Sequence, residues 1–389
     1  MIIQENIPLA QYTTFKIGGP ARFFCAVTSE ADLLEAVKFA MEKGMPMLVI
    51  GSGSNVLVGD TGYSGLVIRM EIKGITYTAS ITDTFPPRAI NHSAPLRLSP
   101  GSVGSELAND LSQDFSVINV AAGEIMDKFI ENIVSQGLYG LENLSAIPGT
   151  VGASPVQNIS AYGQEVGNVI QVVKALDTKT MEFALLSQKE CVFAYRDSIF
   201  KHEKGRYIIT AVTYNLSKNG KVDISYPDLR RFFETKNIEE SGAKRVIKSV
   251  ENITKPIEPT LRQVRDAVME IRSKKLPDWT KWGTAGSFFK NPIISESEWQ
   301  ELAKKYPEMP HWAESDGKVK ISLGWILDKL CDAKGLVMGN VGTYENQALV
   351  IVSKPGATAS EVVALAQRLM KCVKDRTGIQ IESEVEWAC

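Results

Sequence analysis

Met47-Leu-Val-Ile-Gly-Ser-Gly-Ser-Asn55 is the stretch on which the fold reading turns. Met47 to Ile50 is a short apolar run that reads as a buried strand, and it empties directly into the small residues Gly51, Ser52, Gly53, Ser54 and Asn55. Such residues let successive backbone N–H groups approach an anion, so the loop can cradle a phosphate; an ordinary tight loop accounts for the same five residues. The spacing excludes the dinucleotide fingerprint, because its third glycine would fall at Val56 and no helix start follows the strand.

Upstream, Ser29 and Asp32 suit a capped helix with Leu33, Leu34, Val37 and Met41 on one apolar face, stopped by Gly44. Downstream, Lys73 to Asn119 fits no clean period and reads as an irregular insertion. An amphipathic helix is expected around Phe129 to Val134. The run Gly140 to Gly152 then concentrates three glycines and a proline in an apolar context, which implies tight backbone turns. Short β-branched runs between Val169 and Leu216 read as strands, and Glu234 to Lys255 as a solvated insertion.

Thr260 and Gln263 cap a helix whose apolar face is Leu261, Val264, Val268 and Ile271; it ends at Pro277 and is expected to open a further domain. Thr358 and Glu361 box a late helix that buries Val362, Leu365, Leu369 and Val373 and closes at Gly378. In the terminal segment Ile379, Ile381, Ser383, Val385 and Trp387 alternate with Gln380, Glu382, Glu384 and Glu386, so a strand with one solvated face is expected.

At 389 residues the chain exceeds one hydrophobic core, so two or three domains are expected. Lys and Arg number 43 against 45 Asp and Glu, which leaves no global field for a polyanion and argues against nucleic acid as a partner. The start MIIQENIPLA has neither a basic nor a long apolar export region, and no run is long enough to cross a bilayer, so a cytoplasmic protein without membrane association is expected. Cys25, Cys191, Cys331, Cys372 and Cys389 are scattered and lack a CxxC pair, which reads as reduced thiols. Three separated histidines, with His202 expected at the surface, give little material for a metal site, and none is assigned.

Several segments, in order, resemble the UDP-N-acetylenolpyruvoylglucosamine reductase family. They are Tyr12 to Gly19, Gly51 to Leu57, Gly140 to Gly163, Tyr195 to Lys201, Ser225 to Leu229, Lys275 to Asp278, Gly286 to Pro292 and Ile381 to Val385. The Tyr226 and Tyr195-to-Lys201 segments resemble the subtype that closes a tyrosine-bearing loop over substrate. The chain departs from the family in its two insertions and at Glu124-Ile-Met-Asp127, where relatives often carry Trp-His after the glutamate.

The resemblance implies an α+β fold: a two-part FAD-binding region of the vanillyl-alcohol-oxidase type plus a separate α+β substrate-binding domain. Residues 1–69 would form the first FAD-binding part, 70–222 with the strand 379–389 the second, and 223–378 the UDP-sugar domain. FAD would be held non-covalently by Gly51, Ser52, Gly53, Ser54, Asn55, Gly149, Gly152 and Ile159. NADPH would be the co-substrate and UDP-N-acetylglucosamine enolpyruvate the small-molecule substrate of a monomeric enzyme of the cell-wall precursor route.

The same resemblance makes Ser287 the proton donor, Arg196 the electrophilic partner of the substrate carboxylate, and Tyr226, Lys275, Asn291 and Tyr195 substrate ligands. Glu384 completes the catalytic set, either paired with Arg196 or protonated; both remain open on sequence grounds. Two other functions stay open beside the reductase: a flavin oxidase of the same wider fold, and a non-catalytic sensor of flavin or nucleotide sugar.

Overall fold

The computed structural model describes residues 1–78, 114–240 and 258–388. They form two compact units of mixed helix and strand. The first comprises Met1–Ala26, Ala36–Arg69 and Ser273–Cys389, the second Val27–Glu35 and Met70–Arg272.

The first unit contains a four-stranded sheet in the order Gln4–Pro8, Pro20–Val27, Tyr63–Met70, Met47–Ile50. Met47–Ile50 is a strand as expected but not a buried one. It lies at the sheet edge, only Ile50 is buried, and Val49 is 38% exposed. The helix Glu30–Glu42 has the expected box, with Asp32 N–H on Ser29 Oγ and Ser29 N–H on Asp32 Oδ2, both at 3.1 Å. Its buried stripe is Leu33, Ala36, Val37 and Ala40, while Met41 is 48% exposed. A 3.6-residue period carries the stripe from 33 through 36 and 37 to 40, leaving 41 beside it.

The same unit contains the sheet Gly283–Ser287, Gln347–Ser353, Val341–Tyr344, Val337–Met338. The helix Ala359–Thr377 packs Val362, Leu365, Leu369 and Val373 into a core shared with Phe288 and Phe289. Its capping box at Thr358 and Glu361 and its left-handed stop at Gly378, φ 76°, are as expected. The terminal alternation holds at Ile381 and Val385, which are buried, and fails at Trp387, which is exposed. A bend at Val385 shifts the phase, so only Glu386–Ala388 is strand, paired in parallel with Val56–Val58. The thiol reading is also corrected: packing of Leu327 and Leu369 in one core brings Cys331 and Cys372 together as a disulfide, with Cα atoms 6.0 Å apart. Cys25 and Cys191 are buried and take part in no disulfide.

The second unit is built on an antiparallel five-stranded sheet in the order Glu182–Ser187, Ile170–Asp177, Tyr207–Ser217, Phe115–Ala121, Ile75–Thr78. The last two strands correct the reading of Lys73 to Asn119 as irregular throughout; 79–113 lie outside the described residues. The helix Pro227–Glu240 likewise takes in the start of the expected insertion at Glu234, and 241–255 lie outside the described residues. Helix Met126–Ser135 buries Met126, Phe129, Ile130, Ile133 and Val134.

The helix Leu261–Lys275 is capped by Thr260 and Gln263 and buries Leu261, Val264, Val268 and Ile271 as expected. It opens no new unit, however. Val264, Val268 and Ile271 pack on Leu229 and Phe233, so the apolar face joins the helix to the segment before it, and the compact unit ends at Arg272.

Candidate active site

In the first unit, Gly53 holds a left-handed φ of 62°, and a Cβ there would lie 2.0 Å from the Tyr12 carbonyl oxygen. Only glycine fits. Left-handed residues in small loops turn successive N–H groups to one side and form anion-binding concavities. The loop Gly51–Asn55 carries no acid, so its donors suit a diphosphate.

The C-terminal segment is tied to this loop. Asn55 Nδ2 donates to the Glu384 carbonyl at 3.1 Å, and the Glu386 N–H donates to the Asn55 carbonyl at 3.0 Å. Glu384 in turn donates its N–H to the Phe288 carbonyl at 2.8 Å, next to a bridge between Phe289 and Ser383. Ser287 is therefore brought beside Glu384 along the backbone. It ends the strand Gly283–Ser287 after a register shift at Gly286, whose φ is 75°; such a bulge re-aims the residue that follows. Asn291 accepts the Leu323 N–H through Oδ1 at 3.0 Å, which fixes the amide and leaves Nδ2 as the donor. Lys275 is the exposed last residue of its helix.

In the second unit, Gly149 accepts the Met126 N–H, and Gly152 donates to the Ala122 carbonyl at 2.9 Å. A Cβ at Gly152 would meet that of Ala122 at 2.5 Å, so glycine lets the turn lie against the sheet. Ile159 closes the turn, donating to Ser154 and accepting from Val166. Asn158 Nδ2 reaches the Ala194 carbonyl at 3.1 Å, and Ser198 Oγ the Val156 carbonyl at 2.6 Å, stitching this turn to the one that carries Arg196.

Arg196 has a left-handed φ of 54°, which a non-glycine residue adopts at a cost of about 1–2 kcal/mol. Its guanidinium donates to Ser160 Oγ and, at 3.2 Å, to the Ser160 carbonyl, and lies 5.5 Å from the Tyr195 ring centre. The neighbouring Asp197 is engaged by His202, 64% exposed, at 2.7 Å. Tyr226 packs its ring at 5.2 Å edge-on to Tyr162. Burial raises the Tyr226 hydroxyl above its ordinary value, with Asp228 and Tyr195 adding to it. The Tyr162 hydroxyl is pushed up to about 12 by burial, opposed by the adjacent Arg272.

The structure thus gathers Gly51–Asn55, Ser287 and Glu384 in one unit, and Tyr195, Arg196 and Tyr226 with the Gly149–Ile159 turn in the other. Sequence reasoning missed Ser160, Tyr162 and Arg272. Arg272 lies three residues before Lys275 on the same helix, a spacing that places both on one face and was the available signal.

A model of the UDP-N-acetylenolpyruvoylglucosamine reductase C-terminal domain matches residues 278–388, and a model of an FAD binding domain matches 21–84 and 97–181. The UDP-N-acetylenolpyruvoylglucosamine reductase of Cupriavidus pinatubonensis is 38% identical, with 98% of this chain and 97% of that protein covered. The reductase of the same name from Neisseria meningitidis serogroup A is 37% identical over 99% and 97%. The crystal structure of the Thermus caldophilus UDP-N-acetylenolpyruvylglucosamine reductase shares the fold at a TM-score of 0.60 and 20% identity, covering all of both chains.

Proposed function

The chain belongs to the UDP-N-acetylenolpyruvoylglucosamine reductase family, and from that premise we propose that it reduces UDP-N-acetylglucosamine enolpyruvate to UDP-N-acetylmuramate with NADPH. The reaction serves peptidoglycan precursor synthesis and runs through non-covalently bound FAD. The carrying observation is the backbone continuity from Asn55 to Glu384 to Phe288, which puts a glycine-rich anion loop, a carboxylic acid and the serine expected to donate a proton on adjoining segments.

The residues assigned to FAD are Gly51, Ser52, Gly53, Ser54 and Asn55 with Gly149, Gly152 and Ile159. When bound, FAD supplies a hydride carrier from NADPH to substrate. Hydride addition at the β-carbon of an unsaturated carboxylate pushes charge toward the α-carbon and the carboxylate. Arg196 would receive that charge through a fixed guanidinium fork, already oriented by Ser160. Ser287 would then protonate the α-carbon, with Glu384 beside it as a hydrogen-bonding group for the developing enolate. Lys275, Asn291 and Tyr226 would hold the UDP diphosphate, one cation and two neutral donors, with Tyr195 adding to the substrate contacts.

This reading extends to a cytoplasmic monomer, with residues 1–222 and 379–389 devoted to FAD and 223–378 to the UDP-sugar. No helix among the described residues is long and apolar enough to cross a membrane. Cell fractionation and light scattering test location and size.

The decisive experiment is anaerobic. The purified protein should be yellow, lose its colour with NADPH, and recover it when UDP-N-acetylglucosamine enolpyruvate is added. Recovery only on admitting oxygen would replace the reductase by an oxidase, and binding of the sugar nucleotide without recovery would make the protein a sensor.

A further inference from the structure

Asn143 lies in the turn Glu142–Leu144 with no exposed surface. Its Nδ2 donates to two main-chain carbonyls, those of Tyr162 and Asp223, both at 2.8 Å. Its backbone N–H donates to Gln164 Oε1 at 2.9 Å, and Gln164 Nε2 donates to the buried Glu142 carboxylate at 2.8 Å. The amide can face only one way, because carbonyls accept and do not donate. Asn143 Oδ1 is consequently buried with no hydrogen-bond partner among the described residues. An orphaned buried acceptor opposes folding. A side chain needed merely to fill this space would serve better as an apolar group, so the two donated bonds are what the amide contributes.

Those bonds fix two segments relative to each other. Tyr162 has a left-handed φ of 49°, a strained conformation that its carbonyl bond to Asn143 helps to hold. Its hydroxyl lies beside the Arg272 guanidinium, and its ring meets the ring of Tyr226 edge-on. Asp223, whose carbonyl is the second target, accepts the Ser225 N–H on Oδ1 at 2.8 Å and so sets the short turn into Tyr226. Tyr226 is therefore located from both sides, by the Tyr162 ring and by the Asp223 turn, and a single buried amide references both to one point.

We propose that Asn143 is a positioning residue that presets Tyr226 for the substrate diphosphate by clamping the Tyr162 and Asp223 carbonyls together; this rests on the assignment of Tyr226 as a diphosphate ligand. Asn143 touches no substrate itself. Its effect is on affinity through Tyr226, because what it removes is the freedom of the binding group before substrate arrives.

The test is a double-mutant cycle on the FAD-loaded enzyme, reading the Kd of UDP-N-acetylmuramate by titration of the flavin spectrum. Asn143→Ala should raise Kd by about tenfold, the order expected for loss of a hydrogen-bonded positioning contact, with flavin content and resting spectrum unchanged. In a Tyr226→Ala background the same substitution should change Kd less than about twofold. Asn143→Ser, whose hydroxyl can still donate one of the two bonds, should recover part of the loss; it carries the same cycle if the alanine variant does not load flavin. An equal rise in both backgrounds, or none in the parent, overturns the clamp while leaving Tyr226 as a ligand. If Tyr226→Ala alone leaves Kd unchanged, the ligand assignment fails and the clamp falls with it.

Discussion

Arg265 donates through Nη1 and Nη2 to the two carboxylate oxygens of Asp127, at 2.6 and 3.1 Å. The guanidinium is 3% exposed, and Asp127 also accepts the Ala146 N–H at 2.6 Å. One carboxylate thus joins the helix that ends in Arg272 and Lys275 to the chain leading into Gly149. Removing one partner of such a pair strands the other charge, so Arg265→Ala should destabilise the protein by about 3–5 kcal/mol in urea unfolding. Burial alone would raise the Asp127 carboxyl, but the Arg265 and Ala146 hydrogen bonds outweigh it and hold it below its ordinary 3.8. A lowered folded-state value stabilises the fold above the unfolded carboxyl's pKa. That contribution should disappear as pH falls through the still lower folded value, and the Arg265→Ala variant should show a smaller loss over the same acid range.

Gly53 tests whether the small-residue loop is a built cradle. A Cβ would overlap the Tyr12 carbonyl, and the φ of 62° is strained for any L side chain. Gly53→Ala should be isolated with little or no flavin, measured by absorbance per protein, whereas Ser52→Ala should keep most of it. Full flavin loading of Gly53→Ala would remove the loop from the site.

Residues 1–91, which include the glycine-rich loop, contain no histidine that could attach flavin, so acid precipitation should release all of it into the supernatant. Yellow colour retained by the washed pellet would mean a covalent bond and a different chemistry.

Lys275→Ala should weaken binding of the enolpyruvyl substrate by about 1.5–3 kcal/mol, the range for losing a hydrogen bond to a charged group. NADPH can share the diphosphate site, in which case its KM rises as well. Unchanged KM values for both would place Lys275 outside the site.

Ser287 separates the two halves of the cycle. In the proposed mechanism flavin reduction by NADPH needs no proton from it, whereas reoxidation by substrate does. Ser287→Ala should slow reoxidation by about 10²–10⁴-fold and leave reduction nearly intact, with partial recovery in Ser287→Cys. Stopped-flow absorbance times each half; equal slowing of both would make Ser287 a structural residue of the bulge at Gly286.

What the sequence determined by itself was of short range. The boxes at Ser29 and Asp32, Thr260 and Gln263, and Thr358 and Glu361, and the stop at Gly378, all satisfy hydrogen bonds within four residues, so residue types at fixed spacing suffice to predict them. The ordered family segments also single out Ser287, Glu384, Arg196 and the glycine-rich loop as candidates. Tertiary structure decided which side of a periodic element is buried: Val49 is exposed because its strand is an edge, and Trp387 because a bend at Val385 shifts the phase. It also paired Ile75–Thr78 with Phe115–Ala121, joined Cys331 to Cys372, and brought Asn143 to Asp223 and Arg265 to Asp127, 80 and 138 residues apart. Periodicity reports only that a residue faces something apolar or polar; the partner of a buried amide, carboxylate or thiol is settled by which distant segment packs there, once the entropy of closing the intervening chain has been met.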